Sequence, residues 1–335
     1  MLPLTLLNFI STELLSLPLV FLVESDGNRT GQTSVIQNKH MENLLLVFAM
    51  FTLGITSPAF SQILEYKFND AVNGTTSVST GSTTTAVTFQ NASNVATDLH
   101  GAAGSGVSGQ AGDLAFDNTA STGMGTGTGG YANGGDINAI DSLTSFTVQG
   151  WFYTSISGTV SGARLMEKNQ NANNNVSLQY NRNGSAGSLA LTLGTTTMSS
   201  TAAFSSTDAT LATLNGWVFF AVTYDGTLTS NNVNFYTGTT AAAVTQIGTS
   251  GTLNGGTLGT NTGSMKLGNL NGNTKPWDGY LDDIRVYGAT SGNGGVLTLS
   301  QLDTLRAADA VPEPATWALL AFSLTTVMIL RRRRA

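Results

Sequence analysis

Cysteine is absent from the 335 residues, which excludes both a disulfide framework and a thiolate metal site. Charge is scarce as well. Charged side chains make up 10% of the chain, against roughly a quarter in an ordinary soluble domain. Only two histidines occur, His40 and His100, and no His-x-x-x-His pattern or Gly-x-Ser-x-Gly elbow accompanies them. Zincin and α/β-hydrolase chemistry therefore have no footing. Between residues 62 and 310 the only glutamates are Glu65 and Glu167, and neither has an acidic neighbour two or four positions on. The paired carboxylates of a glycosidase are thus missing, and the expectation is a protein that is not an enzyme. The same stretch holds 15 carboxylates against 8 lysines and arginines, a net charge of −7. It has no basic stripe, and nucleic acid is not expected as a partner.

Glycine is abundant, at 39 residues, and Thr, Ser and Asn fill the spaces between short apolar segments. Several segments alternate with the two-residue period of a half-buried strand. Leu64, Tyr66 and Phe68 share one face, and Phe146 and Val148 lead into Trp151 and Tyr153 around Gly150, where a bulge or close backbone approach is expected. Val176 to Asn181 and Leu189 to Leu193 are set to pair across Asn183-Gly184. Trp217 to Tyr224 is almost continuously apolar and reads as a central strand, with Trp151 and Trp217 as packing residues. Leu299 to Ala308 alone reads as a helix, entered from Thr298 or Ser300. The pattern predicts an all-β, two-sheet antiparallel sandwich of about a dozen strands. Gly104-Ser105-Gly106-Val107-Ser108-Gly109 matches a dinucleotide fingerprint formally, but it follows no apolar strand and reads as a flexible loop.

The two ends are different in kind. Residues 1–40 are expected to be an over-extended N-terminus, with Met41 as the start. Leu44 to Ile55 then forms an apolar core of a signal peptide over 41–61, and Ala59 and Ser61 sit at −3 and −1 of a small-x-small cleavage site before Gln62. If translation starts at Met1, Lys39 and His40 supply the positive flank. At the other end, over 309–335, come Pro312, Glu313 and Pro314, an apolar run from Ala315 to Leu330, and then Arg331, Arg332, Arg333 and Arg334. As a helix the run is about 24 Å long, slightly short of a full span, with the arginines on the cytoplasmic side. This tripartite tail resembles the PEP-CTERM sorting signal of Gram-negative bacteria. The resemblance implies a transmembrane helix that anchors the chain transiently in the inner membrane. It also implies an exosortase-type transpeptidase as partner, and delivery to the cell surface or exopolysaccharide matrix.

Residues 62–308 carry a second resemblance. Phe146 to Phe152, Leu165 to Lys168, Trp217 to Gly226, Val233 to Tyr236 and Gly279 to Tyr287 occur in the order of the laminin-G-like, concanavalin A-like jelly roll. Leu299 to Leu305 matches that family's closing segment. Departures are the Gly/Ser/Thr insertions at 71–112 and 119–140. The resemblance implies a non-catalytic module that binds glycans, matrix polysaccharide or protein partners. A hydrolase on the same fold, or a purely structural matrix protein, are the alternatives. It also implies a structural Ca²⁺, for which Asp70 and Asp282, and more weakly Asp113, are the residues to carry over. Alternation places Asp282 on the face of Ile284 and Val286, where it needs calcium, a backbone donor, or Arg285 or Lys67 as partner. Adjacent Asp282 and Asp283 point to opposite faces and cannot form a dyad. Trp277, in a loop beside Asp278 and Gly279, is the candidate to stack on a sugar. The family more often packs a residue there.

Overall fold

The computed structural model describes residues 62–70, 73–154, 159–169, 176–183, 186–202, 216–270 and 272–310. Alternation along the strands builds two antiparallel sheets. One has seven strands: β1 (Gln62–Tyr66), β15 (Tyr280–Ala289), β6 (Ser145–Tyr153), β11 (Val218–Asp225), β12 (Val233–Thr239) and β13 (Thr245–Gln246), in that order. The short β4 (Phe116–Asp117) lies along the free half of β15. The other has eight, in the order β10 (Thr196–Ser199), β9 (Ala186–Leu193), β8 (Val176–Asn183), β7 (Val160–Lys168), β14 (Met265–Leu267), β5 (Tyr131–Gly135), β3 (Ala86–Gln90) and β2 (Thr76–Val78). The sandwich expected from the sequence is the fold observed. Both segments read as insertions turn out to supply strands, β2 and β3 from the first and β5 from the second.

The main core lies between the sheets. Phe146, Val148, Phe152, Phe220, Val222, Ile284 and Val286 from the seven-stranded sheet meet Phe89, Ala132, Leu178, Tyr180, Leu189, Leu191 and Leu267 from the other. Burial at about 25 cal/mol per Å² makes this layer the dominant stabilising term. A second, smaller core lies on the outward face of the seven-stranded sheet. There the helix α1 (Leu299–Ala310) sets Leu302 and Leu305 against Trp151, Phe219, Tyr236 and Tyr287. A capping box opens the helix: Thr298 N–H donates to Gln301 Oε1, and Gln301 N–H donates to Thr298 Oγ1.

Lys168 closes one end of the sandwich. It pairs in register with Met265, so it points inward, and it is 1% exposed. Its Nζ lies 2.8 Å from Asp141, 3.0 Å from Asp136, and 2.9 Å from the Ile137 carbonyl. A buried cation survives only with partners of this kind. Among the described residues no helix is long and apolar enough to cross a membrane. The signal peptide, the cleavage site and the Pro-Glu-Pro tail lie outside the described residues.

Candidate functional site

Strand register lines up one polar row across the entire outward face of the eight-stranded sheet. From edge to edge it runs Thr197, Thr192, Ser177, Glu167, Lys266, Asn133, Thr88 and Thr76, each paired with the next across the ladder. Successive residues of a strand alternate faces, so the inward neighbours Leu178, Met166, Leu267, Ala132 and Phe89 are core while this row is polar. The two ends of the row are exposed and its centre is buried.

The centre is a closed ionic network. Arg164 Nε donates to Glu167 Oε2 at 2.5 Å and its NH1 to the Gly162 carbonyl at 2.6 Å. Ser177 Oγ donates to Glu167 Oε2, and Asn169 Nδ2 to Oε1. Lys266 Nζ sits 4.0 Å above the Tyr131 ring, a cation–π contact, and donates to Asn273 Oδ1 at 3.3 Å. Burial holds its ammonium below the usual lysine range, against the pull of Glu167. Tyr131 and Asn273 both donate to Asn94 Oδ1, at 2.6 Å each. Asn94 and Asn273 adopt positive φ, the left-handed turn geometry that asparagine tolerates. Gln179 extends the network toward the edge by donating to Thr192 Oγ1 at 2.8 Å. The arrangement offers amide, hydroxyl and charged groups in a line. Its one carboxylate has both oxygens engaged, by Arg164 and Ser177 on one and Asn169 on the other.

The residues expected to hold calcium each accept hydrogen bonds within the protein. Asp282 does not share the face of Ile284 and Val286. A bulge between Asp282 and Arg285 sets both Asp283 and Ile284 opposite Gly150, with Asp283 at φ 48°. Asp282 therefore points outward beside its register partner Trp151 and is 0% exposed. Its Oδ2 accepts the Val107 N–H and its Oδ1 the Asp283 N–H, both at 2.8 Å. Val107 belongs to the glycine-rich loop with the fingerprint-like spacing, so that loop serves a carboxylate rather than a nucleotide. Asp113 accepts from Ser108 N–H and Asn69 Nδ2. Asp70 accepts from Val78 N–H at an exposed edge. Among the described residues no group of three acidic or histidine side chains is placed to hold a metal ion. Asp113 lies close enough to Asp282 for its charge, after burial and Asp283, to raise that carboxyl.

The same bulge brings Asp282 and Asp283 together, contrary to the expectation from strict alternation. Burial first, and each other's or neighbouring carboxylates next, push both well above the usual aspartate range. Asp283 also accepts from Arg285 NH2 at 3.0 Å, and Arg285 binds Glu65 and Asp309 as well.

Trp277 proves to be the packing residue that the family more often has there, and Trp217 packs against the outward core without being fully covered. Trp277 is 0% exposed. It packs between the sheets against Phe152 and Tyr180, with ring centroids 5.0 and 5.5 Å away, and donates to the Tyr280 carbonyl. It cannot stack on a sugar. Trp217, expected in a strand core, is half-buried on the outward face of the seven-stranded sheet beside Tyr153 and Tyr280. His100 is a core histidine. Its Nδ1 pairs with Asp98 at 2.8 Å and its ring meets Phe89 edge-on.

Residues 126–292 match the family model Laminin_G_3, described as the concanavalin A-like lectin/glucanases superfamily. The match supports a domain of that superfamily, and the strands before residue 126 complete its two sheets. No curated protein matches the chain. Among solved structures, domain 4 of an extracellular arabinanase from Geobacillus stearothermophilus, in complex with arabinotriose, is similar at 14% identity and TM-score 0.48. The alignment covers 74% of this chain and 98% of that one. The binding domain of a botulinum neurotoxin in complex with SialylT is similar at 11% identity and TM-score 0.44, covering 74% and 51%. The heptameric SAP-like pentraxin of Limulus polyphemus is similar at 15% identity and TM-score 0.36, covering 50% and 72%.

Proposed function

We propose that the sandwich is a non-catalytic module that binds glycans along the polar row of the eight-stranded sheet. The observation that carries this reading is the row itself: eight strands in succession present a hydroxyl, amide or charged side chain on one line. A chain of sugar hydroxyls is matched by such alternating donors and acceptors. Buried Glu167 and Lys266, with half-buried Arg164, supply a fixed floor, and half-buried Thr88, Asn133 and Gln179 supply contacts at its margins. Glu167, held by Arg164, is the only carboxylate in the row. A retaining or inverting glycosidase needs a second one about 5–9.5 Å away, so the row supports binding without hydrolysis.

The destination belongs to the same proposal and rests on sequence. The Ala59/Ser61 cleavage site and the Pro312-Glu313-Pro314 tail read as signals for export and exosortase-type sorting to the cell surface or matrix. A glycan array probed with residues 62–310 tests the binding claim, and a polysaccharide activity screen with Glu167→Gln as control tests the absence of catalysis. Saturable binding without turnover is the expected result. Silence on the array would leave a structural matrix protein, and turnover abolished by Glu167→Gln would make the domain a hydrolase.

A further inference from the structure

The opposite sheet carries a different surface. Tyr153 at the end of β6, Tyr280 at the start of β15 and Trp217 just before β11 meet on the outward face, all three half-buried. Their ring centroids form a triangle with sides of 5.7, 5.8 and 6.4 Å, and the rings are tilted by 49–68° to one another. Gly279 sets this geometry. Its φ is +139°, and a Cβ there would collide with the Tyr153 carbonyl. Only glycine lets the two strands close enough to bring Tyr280 beside Tyr153.

Asp117 on β4 pairs in register with Tyr280 and so stands at the edge of the rings. Its Oδ1 accepts from Thr119 N–H and Oγ1. Asp278, two residues before Tyr280, is the second carboxylate nearby. Glu65, Asp136, Asp141, Asp283, Asp303 and Asp309 each pair with a lysine or arginine. Among the described residues Asp117 and Asp278 form no ion pair with any cation. The field of Asp117 is visible on its neighbours, adding to burial in raising both the Tyr280 hydroxyl and the Asp278 carboxyl.

We propose that Tyr153, Trp217 and Tyr280, with Asp117 at their edge, form an aromatic cage for an organic ammonium group. Ring faces attract a cation through their quadrupoles, most strongly tryptophan, within about 6 Å of the centroid. The triangle is small enough for one cation above its centre to lie within that range of all three rings. Asp117 and Asp278 supply the charge that a neutral ligand would leave uncompensated. The ammonium can be a trimethylammonium headgroup or the protonated amine of an amino sugar, since both offer one organic ammonium charge. This site is separate from the polar row and does not depend on it.

The test is calorimetric titration of the full chain with choline, with glucosamine and with glucose as the neutral control. Saturable binding of choline or glucosamine, absent with glucose and weakened by salt, is the expected result. Which of the two binds more tightly identifies the source. Trp217→Ala and Tyr280→Ala should each weaken binding tenfold or more. Asp117→Asn, which keeps the side-chain shape, should weaken it severalfold with unchanged melting, and so guards against loss through misfolding. Glucose binding as tightly as glucosamine, no saturable binding of either ammonium compound, or affinity unchanged in Asp117→Asn and Trp217→Ala would each overturn the proposal.

Discussion

Trp151 in the middle of the seven-stranded sheet donates its indole N–H to Asp309 Oδ2 at 3.0 Å. Arg285 grips the same carboxylate with two nitrogens, at 2.7 and 2.8 Å. The last turn of the helix is thereby fastened to the outward face of the sheet, on the same two strands that carry Tyr153 and Tyr280. Burial lowers the stability of a guanidinium, but Asp309, Asp283 and Glu65 outweigh it and hold Arg285 firmly charged.

Removing one partner from such a buried network leaves charge uncompensated. Asp309→Ala is expected to cost about 3–5 kcal/mol, whereas Asp303→Asn, which touches a half-exposed pair with Arg306, should cost about 1 kcal/mol or less. Urea denaturation followed by tryptophan fluorescence compares the two directly. Equal effects would mean that the Arg285 network does not hold the helix down.

Trp277 gives a second contrast. Because it fills the inter-sheet core, Trp277→Ala should destabilise the domain by about 3–5 kcal/mol. Trp277→Phe should cost less and leave glycan affinity unchanged when measured well below its melting temperature. Loss of affinity in the folded Phe variant would return Trp277 to the binding surface.

The difference between those two tryptophans shows where sequence reading stops. Alternation along β6, β11 and β15 disclosed the strands and the sandwich, and the Thr298 entry disclosed the capped helix after it, because each is a local pattern. Which of Trp217 and Trp277 is outside depends on where loops close over the sheet ends, which no local pattern records. Asp283 shows the same limit. Strict alternation placed Asp282 inward, but a one-residue bulge opposite Gly150 moved it to the other face; the glycine was a visible signal, though the bulge fell on its partner strand. The polar row was present as single Thr, Ser, Asn and Gln residues at alternate positions. It becomes a line only once register aligns strands distant in the chain, such as Lys266 with Glu167 and Asn133.

Acidity should stabilise this fold over part of the range. Burial, with help from Asp117, pushes Asp278 up to about 6 from its ordinary 3.8. The native state thus holds a proton that the unfolded chain has released between about pH 4 and 6, so stability falls as pH rises through that window and levels off above it. Asp282 and Asp283 act in the same direction. The melting temperature should be higher at pH 5 than at pH 7, and Asp278→Asn should flatten part of the slope. A melting temperature that climbs from pH 5 to 7 would contradict the assignment.

Chelation should do little. The oxygens of Asp282 are taken by Val107 and Asp283 N–H groups, and those of Asp113 by Ser108 and Asn69. The melting temperature is therefore expected to be the same with and without EDTA. A fall of several degrees, restored by calcium, would show that these carboxylates serve a metal after all.

The most direct measurement of the central claim is the affinity of the best array glycan for two variants of the margin of the polar row, Thr88→Val and Gln179→Ala. Each removes hydrogen-bonding groups from the outward face of the eight-stranded sheet without touching the core. Each is expected to lose about 0.5–1.5 kcal/mol of binding, a few-fold to about tenfold in Kd, with Trp217→Ala on the other sheet unchanged for a neutral glycan. Full affinity in both row variants, with loss confined to Trp217→Ala, would contradict it and move glycan recognition to the opposite face.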